Sequence, residues 1–179
     1  MHENKWIKVT QHEVELPNGS KTVYSVATKP DFVMAVSKAG KKFLLVRQFR
    51  YPCKRNSIEF PAGVVEEGSA KKAAARELEE ETGFKPKKLV LLANNLVPSI
   101  GTMNQKGSIF LAEGLTKGKR HLDDGEHGLT ARFYSLAQVK ALIKSGRIFD
   151  TTTIAALQLY EMHEESKRGK AGKRKKASS

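Results

Sequence analysis

The 179-residue sequence contains a single cysteine, Cys53, so neither an intramolecular disulfide nor a cysteine-based zinc cage organises it. Such thiol poverty suits a reducing compartment. Long apolar runs are missing as well. The longest, Phe32 to Val36 and Leu89 to Ala93, fall far below the ~18 residues that span a bilayer. The opening Met1-His2-Glu3-Asn4-Lys5 has no apolar signal core. These absences predict a cytoplasmic protein with no membrane partner. Internal repeats are not visible, and the five histidines do not cluster into a metal set. What is present is enough for a core: 39% hydrophobic and 28% charged residues lie outside the disordered and collagenous classes. At roughly 150 residues per domain, the length fits one domain with an appendage.

Acidic residues are outnumbered, 19 against 32 bases, for a net charge of +13. Much of that excess sits at one end. From Glu165 to Ser179, seven bases face one acid, which puts +6 on this segment and leaves +7 on the body. The segment 165–179 has no aromatic or branched aliphatic residue and contains Gly169 and Gly172, a composition that cannot offset its own ordering entropy. It is expected to be a disordered basic tail. Electrostatic attachment to RNA or another polyanion is open to it, although a solubilising role is the favoured expectation.

Short strands separated by turn residues dominate the first half. Trp6 to Val9, then Glu13 to Leu16 and Lys21 to Thr28 around Pro17-Asn18-Gly19-Ser20, predict strands whose last pair forms a hairpin. Asp31 to Ser37 and Phe43 to Arg50 are nearly continuous in apolar residues, which suits strands covered on both faces. A helix is expected over 70–82, with Ser69 as its N-cap and Gly83 as its stop. Further strands are expected at 88–93, 108–113 and 129–134. A second helix should run over 136–144, capped by Ser135, and a last one from Asp150 or Thr151 to about Glu164. Helices covering a mixed sheet give an α+β class, or a layered α/β/α sandwich.

The most informative stretch is Pro61-Ala62-Gly63-Val64-Val65-Glu66-Glu67-Gly68, followed by Arg76-Glu77-Leu78-Glu79-Glu80-Glu81-Thr82-Gly83. At about 100° per residue, Glu80 and Glu81 fall on either side of Glu77, while Glu79 lies on the far side. Three carboxylates thus share one helix face. Crowded like charges at helical spacing destabilise the helix and oppose its dipole near the C-terminal end, so a cation should compensate. Hard oxygen ligands without Cys or clustered His select Mg²⁺ or Mn²⁺.

The Pro-Ala-Gly loop, the Arg-Glu-Leu core and the Thr-Gly-Phe stop together resemble the Nudix hydrolase box. The resemblance implies a Nudix α/β/α sandwich, with divalent cations on Glu77, Glu80 and Glu81 and the Ala62 carbonyl as a further ligand. One position departs from the box. Where the family has a glutamate six residues after its first glycine, this chain has Ser69, only seven residues before Arg76. That departure puts the loop geometry and the partner of Arg76 in doubt, with Glu66 or Glu67 as candidate substitutes.

Outside the box, Leu45 to Pro52 and Ile58 to Gly63 look like the segment that leads into the box in ADP-ribose and nucleoside-diphosphate-sugar pyrophosphatases. In that branch the arginine matching Arg50 reaches substrate phosphates, a task suited to a planar guanidinium, and Arg47 is a second candidate; a surface ion pair is the alternative for Arg50. Leu122-Asp123-Asp124-Gly125-Glu126 resembles the branch's acidic loop, which makes Glu126 the expected catalytic base, with Glu80 beside it; an ordinary polar turn is the alternative. The neighbours of Pro98 and Gly101 include Asn104 and Gln105 where many relatives have acids. His121 and His127 flank the acidic loop and could touch substrate, with ordinary exposed histidines as the favoured alternative; Trp6, Tyr24 and Phe32 are core or interface candidates, one of which could stack on a base.

The resemblance thus implies metal-dependent cleavage of ADP-ribose or another nucleoside diphosphate sugar into a nucleoside monophosphate and a sugar phosphate. It also implies a homodimer in which residues 1–30 serve dimerisation and base binding, residues 31–164 form the hydrolase domain and 165–179 the tail. Two alternatives stay open: a Nudix hydrolase of RNA 5′ ends or nucleoside triphosphates recruited by the basic tail, and a non-catalytic nucleotide-sugar sensor.

Overall fold

A computed structural model describes residues 1–66, 68–122 and 128–177, with side chains described through Lys170. The chain begins with β1 (His2–Asn4), β2 (Ile7–Glu15) and β3 (Lys21–Thr28), then β4 (Phe32–Ala39) and β5 (Lys42–Arg50). A single 3-10 turn, Tyr51–Cys53, leads to β6 (Arg55–Glu59), β7 (Ala62–Val64) and α1 (Ala70–Thr82). The second half comprises β8 (Phe84–Lys85), β9 (Lys88–Leu96), β10 (Gly107–Glu113), β11 (Thr116–Lys117), β12 (Thr130–Ser135), α2 (Leu136–Lys144) and α3 (Thr151–Ala177).

The main sheet runs β12-β5-β4-β10-β9, with β6 paired to β5 and β7 to β4. It is mixed, because β4 and β10 run parallel while the other pairs are antiparallel. Side chains alternate across a strand, and β4 shows how that builds layers. Val33 packs with Ala73, Ala74 and Phe110, and Ala35 with Leu44, Leu78 and Ala112, on the α1 side. Met34 and Val36 face the opposite cluster, which holds Val139 and Leu142 of α2 and Ala156, Leu157 and Tyr160 of α3. The product is the α/β/α sandwich of the α+β class expected from the sequence.

Local chemistry sets the helix bounds. The Ser69 side chain accepts from the Lys72 N–H at 3.3 Å, and Gly83 takes the left-handed conformation (φ 75°) that ends α1. A capping box, Ser135 with Gln138, opens α2. β1, β2 and β3 form a separate three-stranded antiparallel sheet that leaves Trp6, Val23 and Tyr24 exposed. Its contact with the body includes Ala27, whose N–H donates to the Thr102 carbonyl at 2.8 Å.

Three expectations are corrected. Trp6 to Val9 and Glu13 to Leu16 are not separate strands; backbone pairing with β3 carries β2 through the polar Gln11 and His12. The segment before α1 forms two further short strands, β6 and β7. The segment 165–177 is helical, a continuation of α3, where a disordered tail is expected. Packing of Ala156, Leu157 and Tyr160 has already formed the helix nucleus, so propagation through Ala, Lys and Arg adds residues without a second nucleation cost. Among the described residues, no helix is long and apolar enough to cross a membrane.

Candidate functional site

The α1 carboxylates meet the loop before the helix at close range. A Cβ on Gly63 would lie 2.0–2.3 Å from the carboxylate atoms of Glu77, so only glycine admits that side chain; the requirement comes from close approach rather than from backbone φ. One turn on, Glu81 is 1% exposed and its Oε2 accepts from the Ala62 N–H at 3.2 Å. Burial of two glutamates four residues apart on one face is costly unless their charge is compensated.

Arg76 supplies part of that compensation. Its Nη2 donates to Glu77 Oε1 at 2.6 Å and to the Val64 carbonyl at 3.3 Å, and its Nη1 donates to Glu80 Oε2 at 2.8 Å. Burial works against the Arg76 charge, but Glu77, Glu80 and Glu66 outweigh it and raise its pKa above the ordinary value. Arg76 therefore has partners despite Ser69 standing in the box glutamate position. Of the candidate substitutes, Glu66 contributes charge and Glu67 lies outside the described residues.

The C-terminal end of α1 receives a second cation. Arg120 donates from Nε to the Glu81 carbonyl at 2.8 Å and from Nη2 to the Leu129 carbonyl. The backbone N–H groups of Gly118 and His121 donate to the carbonyls of Gly83 and Glu80 at 2.8 and 3.1 Å. This strap satisfies carbonyls that a helix end leaves open and sets positive charge against its dipole. Sequence spacing gave no sign of it, because Arg120 is 39 residues from its helix partner.

Beside this helix lies a cavity of about 520 Å³. Ala62, Gly63 and Val64 line one wall, Arg50 and Glu59 another, and Phe149–Thr152 at the start of α3 a third. Arg50 donates from Nε to Glu59 Oε1 at 2.9 Å and from Nη2 to Glu59 Oε2. The hydrogen-bonded Glu59 carboxylate raises the Arg50 pKa, with smaller contributions from the charges of Glu81 and Asp150. Gln105, also in the wall, donates from Nε2 to the Pro30 carbonyl at 2.6 Å. Asp150 caps α3 through the N–H of Thr153 at 2.7 Å.

The expected site residues separate into three groups. Glu77, Glu80, Glu81 and Ala62 come together with Arg76 at the loop–helix junction, and Arg50 faces the adjoining cavity. Arg47 is exposed and does not line that cavity; three residues from Arg50 along β5, it points to the other face of an extended strand. Glu126, with His127, lies outside the described residues. Glu59, Asp150 and Arg120 were not singled out from the sequence, and the partners that give each its place are distant in the chain or, for Asp150, hidden in an ordinary capping pattern.

The donor set suits a divalent cation: hard carboxylate oxygens on one helix face, with a glycine cradle that holds Glu77 against the loop. Among the described residues, no three carboxylate, imidazole or thiol side chains converge into a ligand cluster; the Glu77 and Glu80 oxygens turn to Arg76 and Glu81 turns to the Ala62 amide.

Comparison with known proteins adds an independent line. Residues 27–157 match the family described as NUDIX domain, and residues 1–27 match the nucleoside diphosphate sugar hydrolase N-terminal domain. The chain is 35% identical to the ADP-ribose pyrophosphatase of Bacillus subtilis (strain 168), over 89% of this chain and 88% of that protein. It is 30% identical to the methanol dehydrogenase activator of Bacillus methanolicus, over 90% of this chain and 88% of that protein. A crystal structure of an ADP compounds hydrolase has the same fold, with a TM-score of 0.83 over 93% of this chain and 91% of that one, at 23% identity.

Proposed function

We infer that this chain, which belongs to the Nudix hydrolase family, hydrolyses the pyrophosphate bond of nucleoside diphosphate sugars. The products are a nucleoside monophosphate and a sugar phosphate, and ADP-ribose is the substrate we favour. The observation that carries the reading is the juxtaposition of the α1 glutamate face, seated on Ala62 and Gly63, with a cavity whose neighbouring wall presents Arg50.

Members of this family depend on divalent metals. We assign the ion as Mg²⁺ or Mn²⁺, held by Glu77, Glu80, Glu81 and the Ala62 carbonyl, because the donors are all hard oxygens. Such an ion supplies neutralisation of the diphosphate and acidification of a water. The protein's own groups do the rest. Arg50 pairs with phosphate oxygens, Glu126 accepts the proton of the attacking water, and Arg76 holds Glu77 and Glu80 in register for their task. Arg47, exposed off the cavity, keeps at most a peripheral role in steering the anionic substrate. The exposed Trp6, Val23 and Tyr24 of the N-terminal sheet support a homodimer joined through residues 1–30.

The test is incubation with a panel of NDP-sugars, dinucleotides, nucleoside triphosphates and capped RNA, with products identified by mass. Monophosphate plus sugar phosphate from NDP-sugars is the expected result; turnover confined to triphosphates or RNA ends contradicts it, and binding of NDP-sugar without cleavage selects a sensor.

A further inference from the structure

Glu59 enters neither the metal site nor the proton transfer assigned above, yet it is a 5% exposed carboxylate in the wall of the phosphate cavity. An anion buried where another anion must bind needs a reason. Its contacts supply one. Both Glu59 oxygens take up the side edge of the Arg50 guanidinium, Nε and Nη2, in a fork-to-fork pair. Arg50 has five N–H groups in a fixed plane, so this pairing uses two and leaves the outer edge, Nη1 with the second Nη2 hydrogen. No described residue accepts from Nη1. That edge can hold two phosphate oxygens while the other stays docked.

Strand geometry explains why the pair forms. β5 and β6 are antiparallel, with Val46 opposite Glu59 and Gln48 opposite Ser57, so Glu59 shares the face of the even-numbered residues of β5, Arg50 included. The arginine leans back along the strand, and the more deeply buried partner fixes it: the Glu59 side chain is 6% exposed, against 42% for Arg50. A long, half-exposed arginine would otherwise sample many rotamers and lose that freedom on binding.

We propose that Glu59 is a positioning residue for substrate binding: it locks Arg50 by its side edge so that the outer edge is already aimed at the diphosphate. The proposal rests on the hydrolase reading of the cavity. It assigns Glu59 an effect that passes entirely through Arg50 and appears in KM. Without Arg50, the same carboxylate becomes an uncompensated negative charge beside the phosphate.

The experiment measures KM and kcat for ADP-ribose with the full chain and with Glu59→Gln, Arg50→Met and the double variant, circular dichroism confirming folding. Wild-type turnover comes first. Its absence removes the hydrolase reading and this inference together, whereas the variants bear on the inference alone. Glu59→Gln should raise KM about tenfold, the loss of one charge-assisted hydrogen bond, and leave kcat within about threefold. In the Arg50→Met background, Glu59→Gln should cause no further rise, or lower KM by relieving repulsion. An equal rise in both backgrounds, a fall confined to kcat, or a Glu59→Gln enzyme with wild-type KM overturns the proposal. Should Glu59→Gln not fold, Glu59→Asp, which keeps the charge but is one methylene shorter, takes its place: KM should rise with Arg50 present and show no further change in the Arg50→Met background.

Discussion

Two walls of the cavity are built in different ways. The acidic wall rests on one helix and the loop just before it: Ala62 and Gly63 line the cavity and meet Glu81 and Glu77 of α1, all within 20 consecutive residues. The basic wall draws Arg50 from the end of β5, Glu59 from β6 and the first turn of α3 from far along the chain. In the first wall, charge is crowded and is quenched by Arg76 within the helix and by Arg120 at its end, with the proposed metal to add to them. In the second, Arg50 is paired with Glu59. The acidic wall is therefore where chemistry should be most sensitive to substitution, and the basic wall where binding should be.

The largest effect follows from removing a ligand of the acidic wall. Glu81→Gln should reduce kcat by more than the roughly 10² to 10⁴ expected for loss of a positioned base, and steady-state turnover across a metal titration checks it. Glu126→Gln should fall within that 10² to 10⁴ range, with metal affinity unchanged. Near-normal turnover by either variant erases the distinction between the walls. Gly63→Ala should act on packing before chemistry: with a methyl forced to within 2.0 Å of Glu77, about 1–3 kcal/mol of stability should be lost, visible as a lower midpoint in thermal denaturation.

Arg50→Lys sharpens the comparison from the other side. A point charge cannot reproduce the planar fork, so KM should rise about tenfold, the equivalent of one charge-assisted hydrogen bond, while kcat changes little. A fall in kcat without a change in KM would move Arg50 into the acidic wall's category. The smallest effect belongs to Glu79, on the far side of α1, whose pKa is held below the ordinary 4.5 by the Lys119 N–H and then by Lys85. Because the folded value is depressed, its stabilisation is present above that ordinary value and disappears as the pH falls through the folded one. Glu79→Gln should thus be slightly less stable than the parent at neutral pH, and the difference should vanish in acid; activity should not move.

The same division explains what could be read from the sequence. Ser69, the Ala-rich interior and Gly83 fix α1 to the residue, because caps and propensities act over a few positions. The Ser135 cap of α2 was legible for the same reason, as were the apolar runs of β4 and β5, which need cover on both faces. Glu59 gave no local signal, since its role depends on a strand pairing that the sequence does not state. Arg120 is equally invisible, its partners being the carbonyls of Glu81 at a helix end and of Leu129. The segment 165–177 was misread because composition measures what a segment can bury by itself, not what an existing helix can extend. Crowded glutamates pointed to a compensating cation, and the structure adds Arg76 and Arg120 to the expected metal.

The most direct measurement is Mn²⁺ binding followed by electron paramagnetic resonance in the presence of ADP, on the full chain and on Glu81→Gln. The account predicts that the full chain sequesters Mn²⁺ and that Glu81→Gln loses most of that binding. No bound Mn²⁺ in the full chain, or equal binding by the two proteins, would contradict it.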